Sequence, residues 1–177
     1  IKTLLSSPDG RVVCLMQFPD RARSYEKEIS HERLVYDSFY KVPAGVVERI
    51  FSFLKFRMVR TATTDLRHRM SYDMHQNYIR CAAGSFFNRT IARKSVRRVL
   101  RFLDYHCIGD AGFGAVLAKH NPAVVFLTHL FDDPEISLLR EAKKRRIPTI
   151  GFINSWDKLT GRCGLRLLPD TLVVFNE

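Results

Sequence analysis

The sequence contains no apolar run approaching the roughly 20 residues that a membrane-spanning helix requires. Its longest apolar stretches have the length of single buried strands. No apolar segment follows the opening residues in the manner of a secretory signal. The four cysteines, Cys14, Cys81, Cys107 and Cys163, stand far apart, and no two have the C-x-x-C spacing of a metal site. Four reduced thiols and a cytosolic compartment are the expectation, with Cys14 a small core residue inside an apolar run. Asn88-Arg89-Thr90 has the pattern of a glycosylation sequon, but without a secretory signal it reads as chance. Tryptophan occurs once, at Trp156. Acids are scarce: 18 Asp and Glu stand against 29 Lys and Arg, for a net charge of +11. Such a balance bears on partners rather than on fold. It favours an anionic membrane surface, nucleic acid or phosphorylated substrates. Nucleic acid is the least supported of these, because no zinc, RRM-like or other nucleic-acid motif accompanies the charge.

What is present describes a globular chain. Its 177 residues are 46% hydrophobic and 27% charged, which suits a single domain able to bury a core. Pro8-Asp9-Gly10 turns into the apolar run 11–18, a buried strand. A polar stretch at 24–30 suggests a helical turn or two, and 33–36 a second strand. From Pro43 to about Arg60, Val46, Val47, Ile50, Phe51, Leu54 and Met58 recur at helical spacing and are expected to face the core. Residues 61–85 read as irregular or broken helix. From Asn88 to Tyr105 a further helix is expected, with Ile91, Val96, Val99, Leu100 and Leu103 on its apolar half.

The C-terminal third alternates strand and helix. A helix at 112–119 ends at Asn121-Pro122. The run 123–128 is a strand. Asp133 is expected to cap a helix whose first turn holds Pro134 and Glu135 and whose core face holds Ile136, Leu139 and Ala142. The basic end of that helix, Lys143 to Arg146, complements its dipole. Strands follow at 149–153 and 171–175. Continuous Val, Ile, Leu and Phe runs imply strands buried on both faces, and the helical crossovers imply parallel pairing. The expected fold class is therefore α/β: a Rossmann-like, open, mainly parallel sheet with helices on both faces, in a single domain over 1–177. Ligands of such sheets collect at the C-terminal strand ends. That rule selects two polar loops, 128–133 and 154–160.

The second loop, Ser155-Trp156-Asp157-Lys158-Leu159-Thr160, is followed by Pro169-Asp170 and by Phe175-Asn176-Glu177. This succession resembles a segment of GT-B glycosyltransferases of bacterial surface polysaccharide synthesis. Those proteins are similar in layout to CDP-glycerol glycerophosphotransferases and UDP-N-acetylglucosamine 2-epimerases. Lys158 stands where Asn is commoner and Phe175 where Trp is commoner. Residues 1–7 resemble the end of the first helix of that family, and 8–13 the turn into its second strand. The resemblance implies that the chain is the N-terminal, acceptor-side half of a two-domain enzyme, cut at both ends. A nucleotide-sugar donor would be held mainly by a C-terminal domain beyond Glu177, and the acceptor would be a glycan or a lipid-linked glycan. It implies no metal and no cofactor, and a cytoplasmic protein, peripheral at the inner face of the membrane. A nucleotide-sugar epimerase or a glycerophosphotransferase of the same fold remains the alternative, as does a basic nucleic-acid-binding module.

Within that frame each candidate residue has two roles to choose between. His129 follows a buried strand and suits a general base or an acceptor contact; its commoner role is a local hydrogen bond. Asp133 is expected as the cap, leaving Asp132 open. Thr128 and Asn154 stand at the strand ends as substrate contacts. Trp156 suits stacking on a sugar face, and Asp157 suits a catalytic carboxylate that accepts from acceptor hydroxyls. Ser155 and Thr160 would add polar contacts. The commoner outcome for these turn residues is to stabilise the turn itself. Arg93, Lys94, Arg97, Arg98 and Arg101 form one basic face, read as a contact for an anionic membrane surface, with a lipid diphosphate or nucleic acid as other counter-charges.

Overall fold

The computed structural model describes residues 10–39, 45–75, 78–109, 112–153 and 164–174. The chain is an α/β protein of Rossmann-like type with short parallel sheets, and it divides into two compact units. One unit takes 1–43 and 111–122, the other 44–110 and 123–177.

The first unit is built on a β-α-β crossover. Strand β1 (Val12–Met16) pairs in parallel with β2 (Leu34–Ser38), Val12 opposite Leu34 and Met16 opposite Ser38. Between them runs α1 (Pro19–Glu28), with Pro19 at its first position, where a missing N–H leaves no bond unmade. Helix α1 is longer than the turn or two expected at 24–30. Cys14, half-buried in β1, has its thiol pKa pushed up by burial. A second helix, α6 in chain order (Phe113–His120), completes the unit. It opens behind Gly112 at φ 91° and closes at Asn121 at φ 41°, the left-handed turn that Gly and Asn tolerate best.

The second unit holds a parallel sheet of β3 (Val125–Leu127), β4 (Thr149–Phe152) and β5 (Thr171–Val173), in the order β3-β4-β5. Helix α7 (Asp133–Lys144) connects β3 to β4 and packs on both. Its expected core residues Ile136, Leu139 and Ala142 are all buried. Asp170 ties the starts of β4 and β5 together, accepting from the backbone N–H (3.0 Å) and hydroxyl (2.7 Å) of Thr149. The strands are not buried on both faces as expected. Val125 and Leu127 are buried beside α7, while Phe126 points away and is 55% exposed.

Helix α2 (Val46–Leu54) runs into a 3₁₀ turn (Lys55–Arg57), then α3 (Ala62–His75), α4 (Tyr78–Ile91) and α5 (Lys94–Cys107). Of the two readings of 61–85, irregular or broken helix, the second fits, since 62–75 and 78–91 are helical. One expectation is corrected here. Asn88 lies inside α4, and the helix expected from Asn88 is broken at Ala92-Arg93 before α5 begins. Asn88 is buried, its side-chain amide donating to the carbonyls of Arg57 (3.2 Å) and Val59 (2.8 Å), so the sequon serves packing.

Phe51, and Met58 beyond α2, are buried as expected, but α2 and α5 turn part of their expected core face outward. On α2, Phe51 is buried together with Glu48, while Val46, Val47 and Ile50 are exposed. On α5, Asp104 is buried, while Val99 and Leu103 are exposed. The cause is electrostatic. Glu48 and Asp104 both meet one buried arginine, and an α-helix that turns such a stripe inward must turn the opposite stripe out.

Candidate functional site

Strands β3 and β4 are parallel neighbours, with Val125 opposite Thr149 and Leu127 opposite Gly151. The chain therefore leaves both strands at the same end of the sheet. Behind β3 this gives the turn 128–132 into α7. The first turn of that helix organises it. Glu135 accepts the hydroxyl of Thr128 (2.9 Å) and the backbone N–H of His129 (2.7 Å). Nδ1 of His129 stands 3.4 Å from the Asp132 carboxylate. Thr128, His129 and Asp132 are thus gathered on one short turn. The capping expectation is corrected: Asp132 occupies the cap position, without a side-chain cap bond, and Asp133 is the first helical residue. Asp133 instead accepts from Lys55 Nζ (2.9 Å), an ion pair in which both partners are charged, and from Ser52 Oγ (2.9 Å).

That contact opens onto a buried ion network that the sequence alone did not disclose. Arg166 is fully buried; its Nε donates to Asp104 (2.6 Å), and its Nη1 donates to Glu48 (2.6 Å) and Ser52 (3.0 Å). Arg140, equally buried, donates to the other oxygen of Asp104 (2.6 Å). Lys55 adds a bond to the carbonyl of Phe131 (3.0 Å). Three cations, Lys55, Arg140 and Arg166, face three acids, Glu48, Asp104 and Asp133, so the cluster is formally neutral. Burial alone depresses the pKa of Arg166, but Asp104 and Glu48 outweigh it and hold the guanidinium above its usual range. Burial alone raises that of Asp133, but Lys55, Ser52 and Arg166 outweigh it and keep the carboxylate ionised. Nε and Nη1 of Arg140 and Nη2 of Arg166 are buried without a hydrogen-bond partner, a desolvation cost the network does not recover.

The chemistry of this arrangement is positioning. Lys55 and Asp133 fix the turn behind β3, and Arg166 fixes the chain just before β5. The signal that could have revealed it is Arg140, four residues after Ile136 and therefore on the apolar stripe of α7. Asn154, Ser155, Trp156, Asp157 and Thr160 lie outside the described residues. On the basic face, Arg93, Lys94 and Arg98 are exposed. Arg97 is partly covered, and Arg101 donates its Nε to the carbonyl of Leu165 (3.1 Å). Burial, and then the charge of Arg97, hold Arg101 below its usual pKa.

The first unit carries a separate polar centre. Asp37, on β2, accepts from Lys119 Nζ and approaches His120 Nε2, each at 2.7 Å. Those two bonds lower its pKa to about 2.

Comparison of the chain with protein-family models, with curated proteins and with solved structures finds no match.

Proposed function

We propose that this chain is the acceptor-side domain of a GT-B-type glycosyltransferase of surface polysaccharide or glycan biosynthesis, its nucleotide-sugar donor bound mainly by a second domain. One observation supports the proposal: β3 and β4 run parallel and adjacent, so the chain enters the His129 turn and leaves β4 after Phe152 at the same sheet end. That is where a Rossmann-like sheet takes its ligand. The resemblance of 155–160, 169–170 and 175–177 to the GT-B segment supplies the reaction class.

In this proposal His129 is the base that removes the proton of the acceptor hydroxyl, and Asp157 accepts hydrogen bonds from the acceptor. Thr128, Asp132, Asn154, Ser155, Trp156 and Thr160 bind the acceptor glycan or lipid-linked glycan. The buried network keeps the His129 turn in register with the chain leading to β5.

The test uses the native protein that contains these residues. Nucleotide sugars are offered one at a time with lipid-linked glycan acceptors, and release of the nucleoside diphosphate is followed. Acceptor-dependent release is expected, with kcat lowered about 100-fold or more in His129→Ala, the usual contribution of a general base. Isomerisation of the nucleotide sugar without acceptor, or a His129→Ala enzyme of unchanged kcat, would refute the assignment.

A further inference from the structure

Nine of the eleven net positive charges fall within residues 46–107, which carry thirteen Lys and Arg against four Asp and Glu. Folding sharpens the imbalance. Two of the four acids, Glu48 and Asp104, are buried in the ion network, and Asp65 faces Arg60 at 3.5 Å. Arg49, Arg69, Arg89, Arg93, Lys94 and Arg98 remain exposed. The exchange is partial: Asp73 stays exposed and Lys55 is buried.

The same exchange brings apolar side chains to the surface. Of six phenylalanines in this segment, only Phe51 is buried, under the Arg166 guanidinium. Phe53, Phe56, Phe86, Phe87 and Phe102 are each more than half exposed, from 52% to 67%. Exposed apolar groups of this size and number mark a surface meant to be covered. The cover has two requirements: it must be anionic, and it must be apolar just beneath its charge. Duplex nucleic acid meets the first alone; a single strand adds base faces for aromatic stacking, but no nucleic-acid motif accompanies the charge; and a second copy of this cationic chain meets only the second. A bilayer with anionic headgroups meets both.

We propose that the helical segment 46–107 docks on an anionic membrane surface, its exposed arginines and Lys94 meeting the headgroups and its phenylalanines entering the acyl boundary. The basic face of α5 is one part of this surface, without the inward-turned Arg97 and Arg101; the phenylalanines of α2, the 3₁₀ turn and α4 are the other. The proposal does not depend on the transferase assignment, because its test reads binding and not turnover.

The whole chain is sedimented with phosphatidylcholine vesicles, with and without phosphatidylglycerol. Binding is expected only where phosphatidylglycerol is present. The pair Arg93→Glu/Arg98→Glu is expected to weaken it about tenfold or more, since each cation near such a surface contributes. The pair Phe86→Ser/Phe87→Ser, and separately Phe102→Ser, are expected to weaken it by about tenfold with an unchanged circular dichroism spectrum, since each removes apolar area from insertion. The proposal is overturned by no binding to anionic vesicles, by equal binding to neutral ones, or by phenylalanine variants that bind like the parent. It is equally overturned if RNA or self-association, and not vesicles, responds to these substitutions.

Discussion

Asp104 is 1% exposed and holds two guanidiniums, one on each carboxylate oxygen. Asp104→Ala would leave Arg140 and Arg166 buried with far less counter-charge. Breaking a buried pair of this kind costs about 3–5 kcal/mol, so a marked fall in the urea midpoint of the chain is expected. Lys119→Ala removes an ion pair whose lysine is 64% exposed. Its cost should stay within about 1 kcal/mol, because solvent screens such pairs. A pH effect belongs to the same scale. Asp37 has a folded pKa of about 2, below the ordinary carboxylate value of about 3.9. A depressed folded pKa gives stability that is complete above the unfolded value and is lost as pH falls through the folded one. Stability measured by urea titration should therefore drop between about pH 4 and pH 2. Asp37→Asn should flatten that part of the profile, and a variant with the parent's acid limb would show that the pair with Lys119 and His120 contributes nothing there.

At the scale of elements, the sheet depends on one glycine. A Cβ on Gly151 of β4 would stand 2.7 Å from both Leu130 Cδ1 and Pro169 Cγ. Gly151→Val should cost about 1–3 kcal/mol through overpacking, read as a lower thermal midpoint, whereas Gly109→Ala, with nothing within 4 Å, should not. Helix α7 was readable from the sequence because each local signal agreed: Asp-Pro-Glu at its start, apolar residues at helical spacing, and a basic end. The break between α4 and α5 was not, because α5 begins at Arg93 without a side-chain cap bond and neither Pro nor Gly marks the place. Helix α3 does carry a local mark. Thr61 and Thr64 bond each other's backbone N–H groups at its start, a local cap that opens the region expected as irregular or broken helix. The facing of α2 and α5 was unreadable for another reason. Periodicity identifies an apolar stripe, but whether the stripe faces inward depends on distant ion partners such as Arg166.

For the whole molecule, a net charge of +11 and a set of exposed phenylalanines oppose each other. Repulsion between like-charged copies keeps them apart at low ionic strength, and salt removes that barrier within a Debye length. Light scattering of the free chain should therefore rise as salt is raised from about 0.01 M to 1 M, over which the Debye length shrinks from about 30 Å to 3 Å. Scattering that falls with salt would mean that ion pairs between copies, and not apolar contact, draw them together. The candidate site was legible in part. The turn of Thr128, His129 and Asp132 followed from a strand run and a helix start adjacent in sequence. The network that steadies it joins Glu48 to Arg166 across 118 positions, a distance at which no local pattern operates.

Because Asp104 answers to two arginines at once, these positions are not free to drift singly in descent. A lineage that loses Arg166 leaves Glu48 only Arg140 at 3.7 Å, and one that loses Asp104 leaves two guanidiniums to share Glu48. Change is expected to arrive as a set, with apolar residues replacing all the partners together, and an ancestor or cousin of this chain should carry either the whole charged set or none of it.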